Sequence, residues 1–165
     1  MKKLIILLCL IFPLGAFAQD VKIAYVKTQE IFLALPEVAT MRTQLEDLNK
    51  KYEQELTQMQ EEYNNKYSAF VAQQDSLPEN IRLRRMQEIE DIRQRVENFI
   101  PAAQQDVQNQ QQTLFQPIQE KVQRAITSVG DEKGYTCVLE PEVLLYIGSS
   151  AIDATPFVKA KLGLQ

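Results

Sequence analysis

Apolar residues recur along the middle of this chain at the spacing of an α-helix. No glycine occurs between Pro36 and Val129, and the first of two apolar stripes in this stretch advances about 3.6 residues per step. The first stripe contains Val38, Met41, Leu45, Leu48, Tyr52, Leu56, Met59, Tyr63, Tyr67 and Phe70. The second contains Ile81, Ile89, Ile92, Val96, Ile100, Val107, Leu114, Ile118, Val122, Ala125 and Val129. The pattern predicts two long amphipathic helices.

The two stripes fit an antiparallel hairpin. Facing residues in such a hairpin have numbers that add to a constant, and Tyr63 with Ile89, Leu56 with Val96, Tyr52 with Ile100, Leu45 with Val107 and Val38 with Leu114 all add to 152. Phe70 with Ile81 and Tyr67 with Met86 miss this sum by one. We therefore predict a hairpin arm over residues 36–129, with helices about 55 to 75 Å long. One continuous rod that pairs between chains is the alternative, and the turn described next counts against it.

The predicted tip of the arm lies at residues 75–78, where Asp75-Ser76-Leu77-Pro78 interrupts the pattern. Ser76 and Glu79 have the spacing of a capping box, and Pro78 suits the first turn of a new helix. Within the second helix, Pro101 and Pro117 are expected to act as hinges that kink the helix without breaking it, because the apolar pairs outweigh their cost. Gln104 to Gln112 carries few apolar residues, so we expect the arm to bend there.

Short strand-like segments flank the arm and predict an α+β fold. We expect strands at residues 21–27, 135–140, 143–147 and 151–153, with Val21, Ile23 and Tyr25 on one face of the first. Thr28 is expected to cap a short helix, Gly130 to end the arm, Gly134 to turn the chain, and Thr155-Pro156 to cap a last helix through Leu162.

The predicted β body comprises residues 19–35 and 130–165. About four short strands and two small helices make a marginal independent core, so oligomerisation should complete it. We expect the body and its oligomer contacts to be built by Ile23, Tyr25, Val26, Tyr135, Val138, Leu139, Leu144 and Tyr146.

The start of the chain has the pattern of a cleaved signal peptide. Met1-Lys2-Lys3 precedes an apolar run too short to span a bilayer, and Ala16-Phe17-Ala18 fits a cleavage site, so residues 1–18 should be removed after Ala18. Cys9 would leave with the peptide. Cys137 then remains as a single thiol, which we expect to be a buried structural residue in a strand.

Composition excludes several classes of function. Removing Lys2 and Lys3 leaves 16 basic and 22 acidic residues, a net charge of −6, which argues against a nucleic-acid partner. The chain has no histidine, no CxxC pair and no phosphate-binding glycine loop, so we expect no catalytic site, metal or cofactor. Acidic pairs such as Glu46-Asp47 and Glu61-Glu62 fit a solvated helix face.

The two ends of the chain resemble the Skp/OmpH family of periplasmic chaperones. The resemblance rests on Ile23-Ala24-Tyr25-Val26 with Gln29-Glu30-Ile31-Phe32, Pro117-Ile118-Gln119-Glu120-Lys121-Val122 with Ala125-Ile126, Glu132-Lys133-Gly134-Tyr135 with Val138-Leu139-Glu140, and Ile152-Asp153 with Thr155. It implies a homotrimer with one shared, barrel-like β body and three hairpin tentacles around a cavity. That cavity would hold unfolded outer-membrane proteins without ATP, in the periplasm. The acidic charge departs from the basic members of the family.

Residues near the tip are candidates for contacts with client proteins. Arg82, Arg84 and Arg85 would contact client acids or the phosphates of a membrane surface, although a solvated helix face balanced by neighbouring acids is the simpler interpretation. Tyr67 and Phe70 could hold apolar client segments or form hairpin core. Leu77 and Leu83 are better candidates for exposed contacts. An envelope adaptor, whose hairpin docks one folded partner, remains the alternative to a holdase.

Overall fold

A computed structural model describes residues 21–164 of the chain. The predicted signal peptide and Cys9 lie outside these residues. In chain order the elements are β1 (Ile23–Tyr25), α1 (Thr28–Ala34), α2 (Pro36–Gln73), a 3-10 turn (Gln74–Ser76), α3 (Glu79–Lys133), β2 (Cys137–Leu139), a second 3-10 turn (Pro141–Val143), β3 (Ile152–Asp153) and α4 (Thr155–Lys161). The α+β fold is confirmed: a small sheet carries a long helical hairpin.

The sheet is parallel, with strand order β2-β1-β3. Ile23 is in register with Cys137, and Ala24 is in register with both Val138 and Ile152. Parallel neighbours need a long crossover connection, and the connection from β1 to β2 is the entire hairpin. The hairpin therefore leaves the sheet after β1 and returns to it at β2, so both of its ends are held by adjacent strands.

One apolar core joins the sheet, the two short helices and the base of the arm. Its buried members are Ala24, Val26, Ile31, Leu35, Val38, Ile118, Val122, Ala125, Val129, Ala154 and Val158. The backbone of α4 is tied to β1, because Ala154 N donates to Tyr25 O at 2.9 Å and Lys27 N donates to the Thr155 hydroxyl at 3.0 Å. The arm is therefore packed into the body at its base.

Helices α2 and α3 form the arm, with 38 and 55 residues and lengths of about 57 and 82 Å at 1.5 Å per residue. They pair close to the predicted register: the Tyr52 ring packs edge-on against Phe99, one residue from its predicted partner, with ring centres 5.8 Å apart. Phe70 and Ile92 are buried in the arm, with 9% and 2% exposure. Most other stripe residues keep partial exposure, since two helices cannot enclose their own seam.

Three predicted ends of helices α1 and α3 were wrong. Helix α3 continues through Gly130 to Lys133, and Gly134 ends it in the left-handed conformation with φ 66°, where glycine has no steric penalty. Ser76 is not the cap of α3, because its hydroxyl donates to Gln73 O at 2.8 Å and Pro78 occupies the cap position. Thr28 is the first residue of α1 rather than its cap, and its hydroxyl donates to Glu140.

The strand prediction was wrong at residues 143–147. That segment begins in the Pro141–Val143 turn and then continues without pairing in the sheet. The side chains of Val143, Leu145 and Tyr146 are exposed, so alternating apolar residues here form no strand within one chain. The other strands are shorter than predicted. In β1 Ala24 is buried, as is Val26 just after it, whereas Val21 and Ile23, on the face that the sequence groups together, are exposed in one chain.

The remaining sequence predictions concern the thiol and the last helix. Cys137 is half-buried in β2 rather than fully buried. Thr155 is the first residue of α4 and not its predicted cap: Ala154 occupies the cap position, and the Asp153 carboxylate accepts the Thr155 N–H at 2.9 Å. Asp153, two residues before Thr155, therefore accepts a hydrogen bond from a backbone N–H that has no partner within the first turn of the helix.

Candidate functional site

Exposed apolar side chains gather near the tip of the arm. Tyr67 is 50% exposed and Leu83 is 57% exposed. Val71 and Met86 are exposed as well, and sequence reasoning missed both as surface residues. Val71 follows the stripe residue Phe70 and lies outside the apolar stripe, so the sequence pattern already indicated that it would be exposed. We call these four residues, Tyr67, Val71, Leu83 and Met86, the tip patch.

Two other predicted contact residues near the tip are less accessible. Phe70 is buried between the helices, and Leu77 is half-buried. Phe70 therefore packs in the hairpin, whereas Tyr67 and Leu83 stay accessible near the tip.

The basic residues near the tip are largely engaged with acids. Arg82 pairs with Glu79 at 3.7 Å and Arg84 pairs with Glu88 at 3.5 Å, one turn away on the same helix. Lys66 of α2 also reaches Glu88, at 3.4 Å, so this pair connects the two helices. Such exposed pairs contribute little stability, but they reduce the positive charge that the tip presents. Arg85 is half-buried beside them.

A second exposed apolar surface lies on the body. Within one chain Leu145 is fully exposed, Tyr146 is 84% exposed and Val143 is 74% exposed. Val21, Ile23 and Ile152 are exposed too. These six residues, Val21, Ile23, Val143, Leu145, Tyr146 and Ile152, are called the body patch here. Val143, Leu145 and Tyr146 lie within four residues of one another in the chain, and large apolar exposure of this kind marks interaction surfaces in soluble proteins.

The predicted body residues divide into two groups. Val26 is buried in the chain's own core, whereas Ile23 and Tyr146 are exposed. Tyr25, Tyr135, Val138, Leu139 and Leu144 are half-buried. Val143 and Leu145 were not on the predicted list, although they lie in the segment that was expected to form a strand.

Charged contacts fasten the root of the arm. Lys121 of α3 pairs with Glu37 of α2, and α4 reaches the neighbouring helices through Lys159 with Glu30 and Lys161 with Glu132. The hydrogen bond from Lys121 is the main reason that the pKa of Glu37 lies below its usual 4.5, and bonds from Lys159 and Lys161 likewise lower the pKa values of Glu30 and Glu132. The carboxylates are therefore held ionised at the point where the arm meets the body.

The two prolines predicted as hinges lie inside α3, which continues through both of them. A proline has no N–H, so each removes one hydrogen bond from the helix. Pro101 is exposed at the middle of the arm and Pro117 is exposed near its base. At these two positions α3 lacks a backbone hydrogen bond because proline has no N–H to donate.

Residues 21–164 lack two other kinds of feature. No helix in this part of the chain is both long enough and apolar enough to cross a bilayer. The same residues contain no group of three or more acidic, cysteine or histidine side chains that could hold a metal ion.

Comparisons with known proteins identify the class of protein that this architecture defines. The family model described as outer membrane protein (OmpH-like) matches residues 22–162, so the chain belongs to the OmpH-like family, as the resemblance at its two ends indicated. A search of curated proteins gave no match.

A solved structure shares the fold. It is the crystal structure of a candidate outer membrane chaperone (OmpH-like) from Caulobacter crescentus, with a TM-score of 0.75 and 14% sequence identity over 85% of this chain and 82% of that one. At this identity the likeness concerns the fold.

Proposed function

We propose that this protein is an ATP-independent holdase chaperone of the periplasm. It would capture unfolded outer-membrane proteins between hairpin arms and keep them soluble during transit. The observation that carries the proposal is the tip patch: four apolar side chains with 46% to 57% exposure, on a projecting arm of solvated helices. Membership of the OmpH-like family and the description of the Caulobacter crescentus protein as a candidate outer membrane chaperone support it.

We propose further that the working unit is a homotrimer joined through the body patch. Within residues 21–164 the sheet has three short strands, and its outer strands β2 and β3 each leave one edge unpaired. Leu145 and Tyr146 are almost wholly exposed in one chain. Association would bury these side chains and give the strands partners. Three arms rooted in one body would then surround a cavity.

The mechanism of capture would be multivalent. Each arm contributes a few weak apolar contacts, and joining three arms raises the effective concentration of those contacts around one client. A client held in this way stays mobile, and assembly into the outer membrane would remove it. No nucleotide, cofactor or catalytic step is needed for this activity.

The proposal is tested by comparing one client in two states. An outer-membrane β-barrel protein is diluted from urea into buffer with or without this protein, and its aggregation is followed by turbidity. The same client, folded beforehand in detergent, serves as the control for binding. We expect suppression of aggregation and no binding to the folded client. Binding of the folded client alone would instead indicate an adaptor that docks a folded partner.

A further inference from the structure

A groove of about 360 Å³ opens between α2 and α3 halfway along the arm. Its lining is mainly apolar, with Tyr52, Leu56, Phe99, Ile100, Ala103 and Val107, and Asn49, Glu53, Gln104 and Gln108 complete it. The volume lies within the range of roughly 300–1,000 Å³ that is typical of ligand sites. The other apolar side chains in the walls are larger than the methyl group of Ala103. We attribute the groove to the space that this small side chain leaves between the helices.

The aromatic walls of the groove are fixed in place. The Tyr52 hydroxyl donates to the Asp106 carboxylate at 2.6 Å, across the hairpin, and the Tyr52 ring packs edge-on against Phe99 at an interplanar angle of 76°. The Asp106 bond also raises the pKa of Tyr52, so this tyrosine remains a hydrogen-bond donor at neutral pH. Because these side chains are already held by contacts, they lose little conformational entropy when a ligand side chain enters the groove.

The charge around the groove is negative. Glu53 lines it, and no ion pair engages Glu53 among residues 21–164. Asp106 lies beside it through the bond to Tyr52. Helix α3 has no lysine or arginine from Val96 to Glu120, and Lys50 of α2 is paired with Asp47 at 3.9 Å. The groove therefore favours an apolar group with a cation next to it.

The groove continues toward the body. A larger groove of about 650 Å³, which contains Phe32 and Phe115, shares Asn49 and Val107 with it as walls. An extended polypeptide rises about 3.3 Å per residue and places alternate side chains on one side, so consecutive side chains of one segment can enter neighbouring grooves. This continuity favours an extended polypeptide over a compact small molecule as the occupant.

We infer that the mid-arm groove binds an apolar side chain, preferably aromatic, of an extended client segment in which lysine or arginine is adjacent. The inference rests on the proposed holdase function and specifies which client segments the arm prefers. It differs from simple apolar adhesion, because Glu53 and Asp106 would select the neighbouring charge.

A matched pair of substitutions tests the groove. Ala103→Leu fills it, whereas Ala102→Leu places the same side chain one residue away on the exposed face. The protein contains no tryptophan, so the fluorescence of a short capped peptide, one Trp flanked by Lys on both sides, reports binding without background. We expect Ala103→Leu to weaken peptide binding about tenfold and Ala102→Leu to leave it unchanged. Equal affinities for the two variants would overturn the inference.

The charge preference has its own test, which does not depend on a core substitution. A peptide with Glu in place of Lys should bind the unchanged protein about fivefold more weakly. Glu53→Gln, at an exposed position, should reduce that difference, and Glu61→Gln, outside the groove, should not. Equal binding of the two peptides would refute the charge selection.

The holdase assay separates failure of the inference from failure of the proposed function. If the unchanged protein does not keep a urea-diluted client soluble, the proposed function is wrong. If it does, and the two alanine variants bind the Lys-flanked peptide equally, only the groove inference is wrong.

Discussion

Two isoleucines of α3 offer a quantitative test of the packing in the arm. Ile92 is 2% exposed and Ile100 is 41% exposed, although both belong to the apolar stripe and differ by about two helical turns. Replacing each with alanine makes the same chemical deletion in the same helix. The structure predicts unequal losses of stability, because only one of the two sites is closed to water.

The magnitudes follow from the two environments. Ile→Ala removes about three carbon groups, worth roughly 0.8 kcal/mol each when buried, and alanine returns a few tenths of a kcal/mol through its higher helix propensity. At Ile92 the full transfer loss applies and a cavity adds to it, so we expect about 3 kcal/mol. At Ile100 the partial exposure leaves about 1 kcal/mol.

The assay is urea unfolding followed by far-UV circular dichroism, with all proteins at one concentration so that association contributes equally. Similar slopes against urea for the three proteins would show that the comparison concerns the folded state. Equal losses for Ile92→Ala and Ile100→Ala, or a larger loss at Ile100, would refute the described packing of the hairpin.

Three further predictions concern the hinge, the root and the body. Pro101→Ala should restore a backbone hydrogen bond and stabilise the arm by up to about 3 kcal/mol. The stiffer arm should hold a narrower range of client sizes. If the variant captures large and small clients as well as the unchanged protein does, Pro101 is not a hinge. The pKa of Glu37 in the folded protein is below 4.5, so its pair with Lys121 stabilises the fold above pH 4.5, and this stabilisation is lost as the pH falls further. Glu37→Gln should therefore unfold at a lower temperature than the unchanged protein near neutral pH, and its melting temperature should fall less on acidification. If the melting temperatures of both proteins depend on pH in the same way, Glu37 does not have this role. Tyr146→Ser removes an exposed apolar group from the body patch, so the oligomer should dissociate toward single chains. Sedimentation measures this change in mass. An unchanged mass would show that the interface between chains lies elsewhere.

The hairpin could be predicted from sequence because its signal is long and repetitive. Stripe residues such as Val38, Ile92 and Val129 recur at helical spacing, and the break at Ser76 to Pro78 places the reversal. Errors at helix ends had local causes: Gly130 and Gly134 are both plausible stops, and only the conformation of Gly134 decides between them. A threonine or serine near a helix start likewise need not use its hydroxyl as the cap, as Thr28 and Ser76 illustrate.

The body was harder to predict because its strands are short and parallel. Two or three residues give too little alternation to tell which face of a strand is buried: Ala24 and Val26 are buried, whereas Val21 and Ile23 are exposed in one chain. Residues 143–147 alternate like a strand, yet they have no partner in the sheet of one chain. Their sequence is suited to pairing, and the proposed trimer would supply the surface against which they pack.

The candidate site could be predicted only in part. Tyr67 and Leu83 are exposed as a contact surface requires, but Phe70 shares the aromatic character of Tyr67 and is buried, since helix rotation decides which of them faces the partner helix. The mid-arm groove had no sequence signal of its own. It depends on how Ala103 of α3 meets Tyr52 and Leu56 of α2, and such a contact appears only once the register is fixed in three dimensions.

The most direct test of the holdase account is the light-scattering mass of the purified protein, measured alone and after mixing with an outer-membrane β-barrel protein diluted from urea. The account predicts the mass of three chains alone and a soluble complex of one trimer with one client, under conditions in which the client alone aggregates. A single-chain mass, or a trimer that leaves the client aggregating, would contradict it.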